Sequence, residues 1–517
     1  MSVESVTYTK CLASGSSSQV EVILCLANAF DEDMAALESA SFQLSADIIQ
    51  WLLVLAGSMV FFMQAGFAML CAGCVRKKNV VNTMLKNMMD NCMAAIAYYT
   101  VGYGFAFGDG GTFIGTSHFF GAGTISHSIF FFQFTFAATA VTIVAGTLAE
   151  RCTYVAYLVY SFFLAAFTYP IVARAMWSSY GFLSAFADEP LGGIGAIDYA
   201  GSGVVHCTGG MTALLATIIL GPRQGRFYDD QGLPLETPNN IRGHSMALQL
   251  LGAMILWYGW YGFNCGSALL RASSGDPAEI ATRVAVNTTL SAACGALSSL
   301  FMYAILTGAR GEAAFSLPMA MNGALTALVG ITGSAGTVEI WAAAVIGVLC
   351  GWLYIFASRL LVRLRIDDAV EAIPVHLFGG SFSLIATGIF SSSKGMLATY
   401  GTDRYVGLLY AIDSDSPDYT LLRNQIYALL FIVGWVTFCM LPFFLILNTL
   451  GLFRVAKVDE FLGLDFSRHG AELAPDVKRD LKSSNHHHRT PRQVSQHEGD
   501  APQVPDGFSG QVVSFED

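Results

Sequence analysis

Asp198, His206 and His376 are the residues best placed to do chemistry in an otherwise strongly apolar sequence. The first two lie in Gly195-Ala-Ile-Asp-Tyr-Ala-Gly-Ser-Gly-Val-Val-His-Cys-Thr-Gly-Gly210, which opens an apolar run to Leu220. Ionisable groups at membrane depth are costly, hence rare and commonly functional. Read as one helix, a spacing of eight puts Asp198 and His206 on nearly the same face, about 12 Å apart along the axis. His376 lies in a second apolar run, and the expectation is two histidines facing each other inside a membrane pore. Blander roles stand beside these. An intramembrane histidine can be a packed, hydrogen-bonded structural group. Asp198 can simply cap the start of its helix. The nearby Gly201, Ser202, Gly203, Gly209 and Gly210 suit close helix packing without any transport role.

Long apolar helices must carry these residues. The 517-residue chain is 54% hydrophobic and only 13% charged, against about 25% charged in soluble domains. Apolar segments recur at roughly 47–74, 82–108, 126–149, 153–175, 197–220, 244–270, 281–307, 313–332, 337–362, 372–392 and 423–453. Each is long enough to cross about 30 Å of hydrocarbon. The expected fold is therefore an all-α polytopic membrane protein of about eleven transmembrane helices. The 313–332 segment has the weakest pattern, because Pro318 and several glycines interrupt it.

Basic residues follow alternate segments: Arg76, Lys77 and Lys78, then Arg151, then Arg223 and Arg226, and finally Arg454 and Lys457. Residues 109–125 and 176–196 contain none. The positive-inside rule puts the basic side in the cytoplasm, so the N-terminus is outside and the C-terminus inside. An odd count allows two inverted five-helix repeats plus one C-terminal helix, with the path at their interface, although no residue-level repeat is visible.

The expected divisions are an extracellular segment over 1–45, a transmembrane domain over 46–453 and a cytoplasmic tail over 454–517, disordered after about 471. The net charge of −11 comes without a basic block, which argues against nucleic acid. The eleven cysteines show no metal-ligand spacing. Cys11 and Cys25 could form a disulfide if the N-terminal segment is extracellular, but sequence does not pair them. The run His486-His487-His488 reads as part of a disordered tail before it reads as a metal site. No metal and no cofactor are expected.

Several stretches resemble the ammonium transporter family (Amt/Mep/Rh), in its plant-type branch. They are Phe61-Phe-Met-Gln-Ala-Gly-Phe-Ala-Met-Leu-Cys-Ala-Gly73, Gly104-Phe-Ala-Phe-Gly108, Ala149-Glu-Arg151, Gly195-Ala-Ile-Asp-Tyr-Ala-Gly201, Trp257-Tyr-Gly-Trp-Tyr-Gly-Phe-Asn264 and Gly463-Leu-Asp-Phe-Ser-Arg-His-Gly470. The similarity runs from about residue 45 to 470. It implies a multi-pass homotrimer of the plasma membrane with one pore per subunit, carrying ammonium inward. It also implies roles for single residues. Asp198 matches the buried aspartate below the outer recruitment site, and His206 and His376 match the twin histidines. Phe132 and Phe263 match a stacked phenylalanine gate. Trp177 and Ser267, with Phe132, match the outer ammonium site. Ser467 sits where plant-type members are phosphorylated. Leu377, Glu371 and Cys265 depart from the usual pattern, and Leu377 leaves the pore width open.

The chemistry fits these types. An aromatic face attracts a cation by about 0.5–2 kcal/mol. A serine oxygen accepts an N–H bond that potassium has no proton to donate. An isolated charge in a low-dielectric medium costs tens of kcal/mol. Ammonium can shed that charge by releasing a proton, so ammonia becomes the expected traveller past the histidines, with a possible proton relay. Asp198 would stabilise the cation from behind, or hold local backbone in place. Three rivals remain: a redox protein with the histidines on haem, an ammonium sensor, and an Rh-type ammonia gas channel.

Overall fold

The computed structural model describes residues 19–271, 275–308, 315–412, 417–475 and 477–479. The all-α class holds, and the described residues contain only isolated β-bridges beside the helices. In chain order the main helices are α1 (Gln19–Cys74), α2 (Val80–Ala97), α3 (His127–Thr147), α4 (Tyr154–Phe163) and α5 (Tyr169–Trp177). Then come α6 (Thr208–Leu220), α7 (Met246–Arg271), α8 (Pro277–Gly308), α9 (Leu317–Thr332), α10 (Ile340–Arg363), α11 (Gly379–Phe390) and α12 (Thr420–Thr449). Among the described residues, eight helical spans are long and apolar enough to cross a membrane. α9, at 16 residues, is apolar but shorter.

Two elements differ from the sequence expectation. α1 is already helical at Gln19, the first described residue, rather than only from near residue 47, because residues 19–56 hold neither glycine nor proline and nothing breaks the helix. The weak 313–332 pattern nevertheless forms α9. Pro318 falls in its first turn, where a missing N–H leaves no bond unmade. Cys25 is disulfide-bonded, while Cys11 and the His486–His488 run lie outside the described residues. The disorder expected after about 471 also falls largely outside them.

α1 packs more extensively against α7 than any other helix pair. Glycines permit the approach. A methyl group at Gly252 would sit 2.6 Å from the carbonyl oxygen of Gly66, so the backbones meet with nothing between them. The core continues through Ala137, Ala140, Val141 and Val144 of α3, which is buried along nearly its whole length. A helix apolar on all sides belongs in the middle of the bundle.

Among the described residues, four π-helical segments adjoin the α-helices. They are Tyr98–Gly102, Leu164–Thr168, Ser202–Cys207 and Ile373–Phe378. The last two carry His206 and His376.

On the basic face, buried charges tie the loops together. The Glu150 carboxylate accepts from the backbone N–H and Nε of Arg76, both at 2.6 Å, with Arg223 at 3.6 Å. Burial works against the ionised Glu150, but the Arg223 and Arg76 charges outweigh it and hold the group below its usual range. Asp367 accepts from Arg223 Nε at 2.8 Å and Nη2 at 2.9 Å, and these contacts likewise hold it low against the cost of burial.

The tail folds back onto this face. Asp465 accepts from the backbone N–H groups of Val81 and Asn82 at 3.0 and 2.8 Å, capping α2. Glu460 receives Arg454 Nη2 at 2.8 Å and the Gln224 N–H at 2.7 Å.

Candidate functional site

The two histidines meet at the centre of the bundle. His376 Nδ1 and His206 Nδ1 are 3.1 Å apart, with ring planes 18° from parallel and centroids 5.1 Å apart. One ring must donate to the other. With both rings neutral, the shared proton leaves one Nε2–H donor and one bare Nε2 acceptor. His206 Nε2 is buried and has no partner among the described residues. The indole of Trp260 stacks over His206 at 5.5 Å and is fixed by Nε1 donating to Thr332 Oγ1 at 3.0 Å.

Asp198 is not on the helix face with His206. It lies in the loop before the π-helical turn and caps it. Its carboxylate accepts from Gly201 N, Ser202 N, Ser202 Oγ, Gly203 N and Val204 N at 2.7–3.0 Å. Gly201 makes the entry possible at φ +107°, a conformation open to glycine. A carboxylate has about four lone-pair sites. Five donors fill it, so no direct bond to a passing cation remains.

The second histidine is mounted the same way. Asp368 accepts from Val370 N at 3.1 Å and Ile373 N at 2.7 Å at the start of the other π-helical turn. Asp368 precedes His376 by eight residues, as Asp198 precedes His206. This Asp-x7-His spacing is a repeat that was available in the sequence and was missed there.

Leu377, one residue on, packs against Gly210, where a methyl group would lie 2.9 Å from its Cβ. Its bulk is therefore taken up at the seam between the two segments.

Above the histidines stands an aromatic column. The ring stacked on Phe263 is Phe136, at 4.1 Å and 25°. Phe132, expected in that stack, is one helical turn away and contacts Phe136 at 4.8 Å, tilted by 56°. Phe136 was not singled out from sequence. Five phenylalanines lie between residues 130 and 136, and no local signal says which one faces Phe263. Phe263 also stacks on His206 at 5.5 Å.

Trp177 meets the edge of Phe136 at 5.8 Å and donates Nε1 to the Asp198 carbonyl at 2.8 Å. Ser267 Oγ donates to the Phe263 carbonyl at 2.9 Å, which leaves its lone pairs as acceptors. The structure thus brings Trp177, Phe132, Phe263 and Ser267 to one end of the histidine pair.

Below the pair is a small cavity of about 20 Å³, lined by His376 with Phe67, Ile143, Leu325, Val375 and Asn322. Asn322 Nδ2 donates to Tyr354 Oη at 2.9 Å, and that hydroxyl donates to Glu371 Oε2 at 2.7 Å. These three connect the cavity wall with the basic face, and sequence reading assigned none of them a partner. Cys265 is a free, partly buried thiol. Among the described residues no group of His, Cys, Asp and Glu could hold a metal ion. Ser467 lies in the docked tail, and its hydroxyl is buried with no partner among the described residues.

The arrangement places stacked aromatic rings at one end, a pair of imidazoles inside and a small, mostly apolar cavity beyond. The chain as a whole is similar to known proteins. The sequence matches the Ammonium Transporter Family over residues 51–473. It is 39% identical over 434 residues to "Ammonium transporter 1 member 3" of Solanum lycopersicum, covering 81% of this chain and 91% of that protein. It is 39% identical over 442 residues to "Ammonium transporter Amt2" of Archaeoglobus fulgidus, covering 84% and 89%. Among solved structures, the "Sensor Amt Protein" aligns with a TM-score of 0.70 at 32% identity, over 82% of this chain and 98% of that one. Candida albicans Mep2 aligns with a TM-score of 0.67 at 25% identity, over 80% and 87%. With a family match over most of its length and relatives near 40% identity, the chain belongs to the ammonium transporter family, a family of transporters rather than enzymes.

Proposed function

We propose that the chain takes ammonium at Trp177, Phe132 and Ser267, strips a proton from it at the phenylalanine column, and conducts ammonia past His206 and His376. The observation that carries this reading is the imidazole pair, 3.1 Å between Nδ1 atoms, set between an aromatic column and an apolar cavity. Cation–π attraction and the Ser267 oxygen collect ammonium. The apolar conduit opposes any intact ion, because a charge in such a medium costs tens of kcal/mol. Ammonia both donates and accepts hydrogen bonds, and the pair offers one Nε2–H and one bare Nε2. Asp198 holds the turn that presents His206, and its charge lies behind the cation site. The released proton passes along the imidazoles.

The chain is further proposed to cross the plasma membrane eleven times, as two inverted five-helix repeats plus α12. Residues 1–45 lie outside, 46–453 form the membrane domain and 454–517 lie in the cytoplasm. Three copies form a homotrimer. Ser467 is the regulatory phosphorylation site, since added phosphate would enter a docked contact already rich in carboxylates.

A sensor role is a second reading, favoured by the similarity to a protein titled "Sensor Amt Protein" and by the tail docked through Asp465. Ammonium-evoked current in cells expressing the full chain, with potassium as control, tests the main reading. The expected result is current and methylammonium uptake with ammonium alone, both lost when His206 and His376 are changed to alanine together. Uptake and potassium exclusion unchanged in that double variant would overturn the pore assignment. Tail-dependent signalling without flux would favour the sensor.

A further inference from the structure

Arg271 ends α7 at the mouth of the conduit and has no part in the pathway above. It lies four residues beyond Ser267, so both project from one face of the helix, with Cβ atoms roughly 6 Å apart. The residue is only 6% exposed. Its guanidinium carbon lies 5.0 Å from the ring centroid of Trp177 and 4.9 Å from that of Phe186. Nε donates to the Tyr199 carbonyl at 3.3 Å. Trp177 is fixed in place by its own bond to the Asp198 carbonyl. A planar guanidinium stacks well on such a ring and draws on the same quadrupole that attracts any other cation. The ring assigned to collecting ammonium therefore already holds a cation that belongs to the protein.

We propose that Arg271 is a tethered competitor for the ammonium site, occupying the cation-attracting face of Trp177 until substrate displaces it. The inference rests on the reading of Trp177 and Ser267 as the recruitment site. Two effects act in the same direction. The ring face is taken, and a like charge stands one helical turn from the serine oxygen. Arg271 thereby sets the affinity, and the chain is tuned to ammonium concentrations at which displacement is frequent. Closure follows from the same contact, since Trp177 and Ser267 are only 6% and 4% exposed.

Half-saturating ammonium and methylammonium concentrations in cells expressing the full chain test the inference, with surface protein quantified. Arg271→Gln and Arg271→Met remove the charge while keeping length. Each is expected to lower the half-saturating concentration about tenfold. Arg271→Lys keeps a cation and should stay within about twofold of the parent. A purely structural arginine would change surface abundance or maximal rate in all three variants without tightening half-saturation. An unchanged or higher value in both neutral variants overturns the proposal. A parent protein that conducts nothing retires the transport reading instead. In that case the same variants are titrated in purified form with ammonium chloride against potassium chloride. Tighter ammonium binding in Arg271→Gln sustains the inference there, and equal binding ends it.

Discussion

Asp198 spends its charge on its own backbone. Its two oxygens collect four N–H groups and one hydroxyl at the start of the turn that carries His206. Bonds to a charged acceptor are worth about 1.5–3 kcal/mol each, and an unmet buried donor costs a similar amount. Asp198→Asn keeps one accepting oxygen and turns an amide toward the donors of the other. We expect a loss of about 2–4 kcal/mol, visible as a lower unfolding midpoint of the purified protein together with loss of uptake. Normal uptake with normal stability would remove both roles. The phenylalanines divide similarly. Phe136→Ala opens the stack on Phe263 and should relax exclusion of potassium, whereas Phe132→Ala should weaken ammonium capture and leave potassium excluded. Ion-replacement currents separate the two, and equal effects would erase the distinction drawn from ring geometry. His206 and His376 were legible in the sequence because polar groups are scarce in apolar runs. Phe136 was not, because its partner lies 127 residues away on α7 and its own segment offers phenylalanine five times.

At the level of elements, the two π-helical turns matter most. A π turn carries one residue more than the α-helical ladder accommodates and is frequent at functional sites. Here it delivers His206 from one segment and His376 from the other. Apolar periodicity located the helices, since every predicted segment holds helix. It did not locate the π turns, whose capping by Asp198 and Asp368 leaves no mark in apolar periodicity. Nor did it place the start of α1, because absence of a breaker leaves no mark. The loop aspartates that begin both turns lead to a pH prediction. Burial pushes Asp368 up to about 6. Its folded value is raised, so its contribution to stability is full below the ordinary carboxylate range and falls as pH rises through about 6. The N–H bonds from Val370 and Ile373 favour the ionised form but do not outweigh burial. Because the fold favours the neutral acid, lowering pH through about 6 should raise the unfolding midpoint of the purified protein. Asp368→Asn should abolish that step. An unfolding midpoint that stays level or falls between about pH 7.5 and 5.5 in the parent would contradict it.

Across the whole molecule, the tail segment around Glu460 and Asp465 is linked to the loop that begins the His376 turn. Asp465 caps α2, whose start is also tied through Asn79 Oδ1 to the Leu464 N–H at 2.9 Å. Glu460 joins the tail to Arg454 and Gln224, and Gln224 follows Arg223, the partner of both Glu150 and Asp367. A set of buried and half-buried polar contacts thus runs from the tail to the loop that begins the His376 turn. The resemblance made Ser467 legible, but the docking that gives it leverage was not, because Asp465 and Glu460 meet partners hundreds of residues earlier. The Ser467 hydroxyl is buried two residues from Asp465. A phosphate there brings about −1.5 to −2 charge into a contact held by carboxylates. Ser467→Asp should undo about 1–2 kcal/mol of docking, which shifts the docked fraction roughly five- to thirtyfold. Asp465→Asn should act in the same direction without adding charge. If docking keeps the conduit open, both variants lower uptake while Ser467→Ala leaves it intact. Protease accessibility of the tail reports the undocking independently of flux. A tail that releases in both variants while uptake stays at the parent level would mean that the contacts hold the tail without governing the pore.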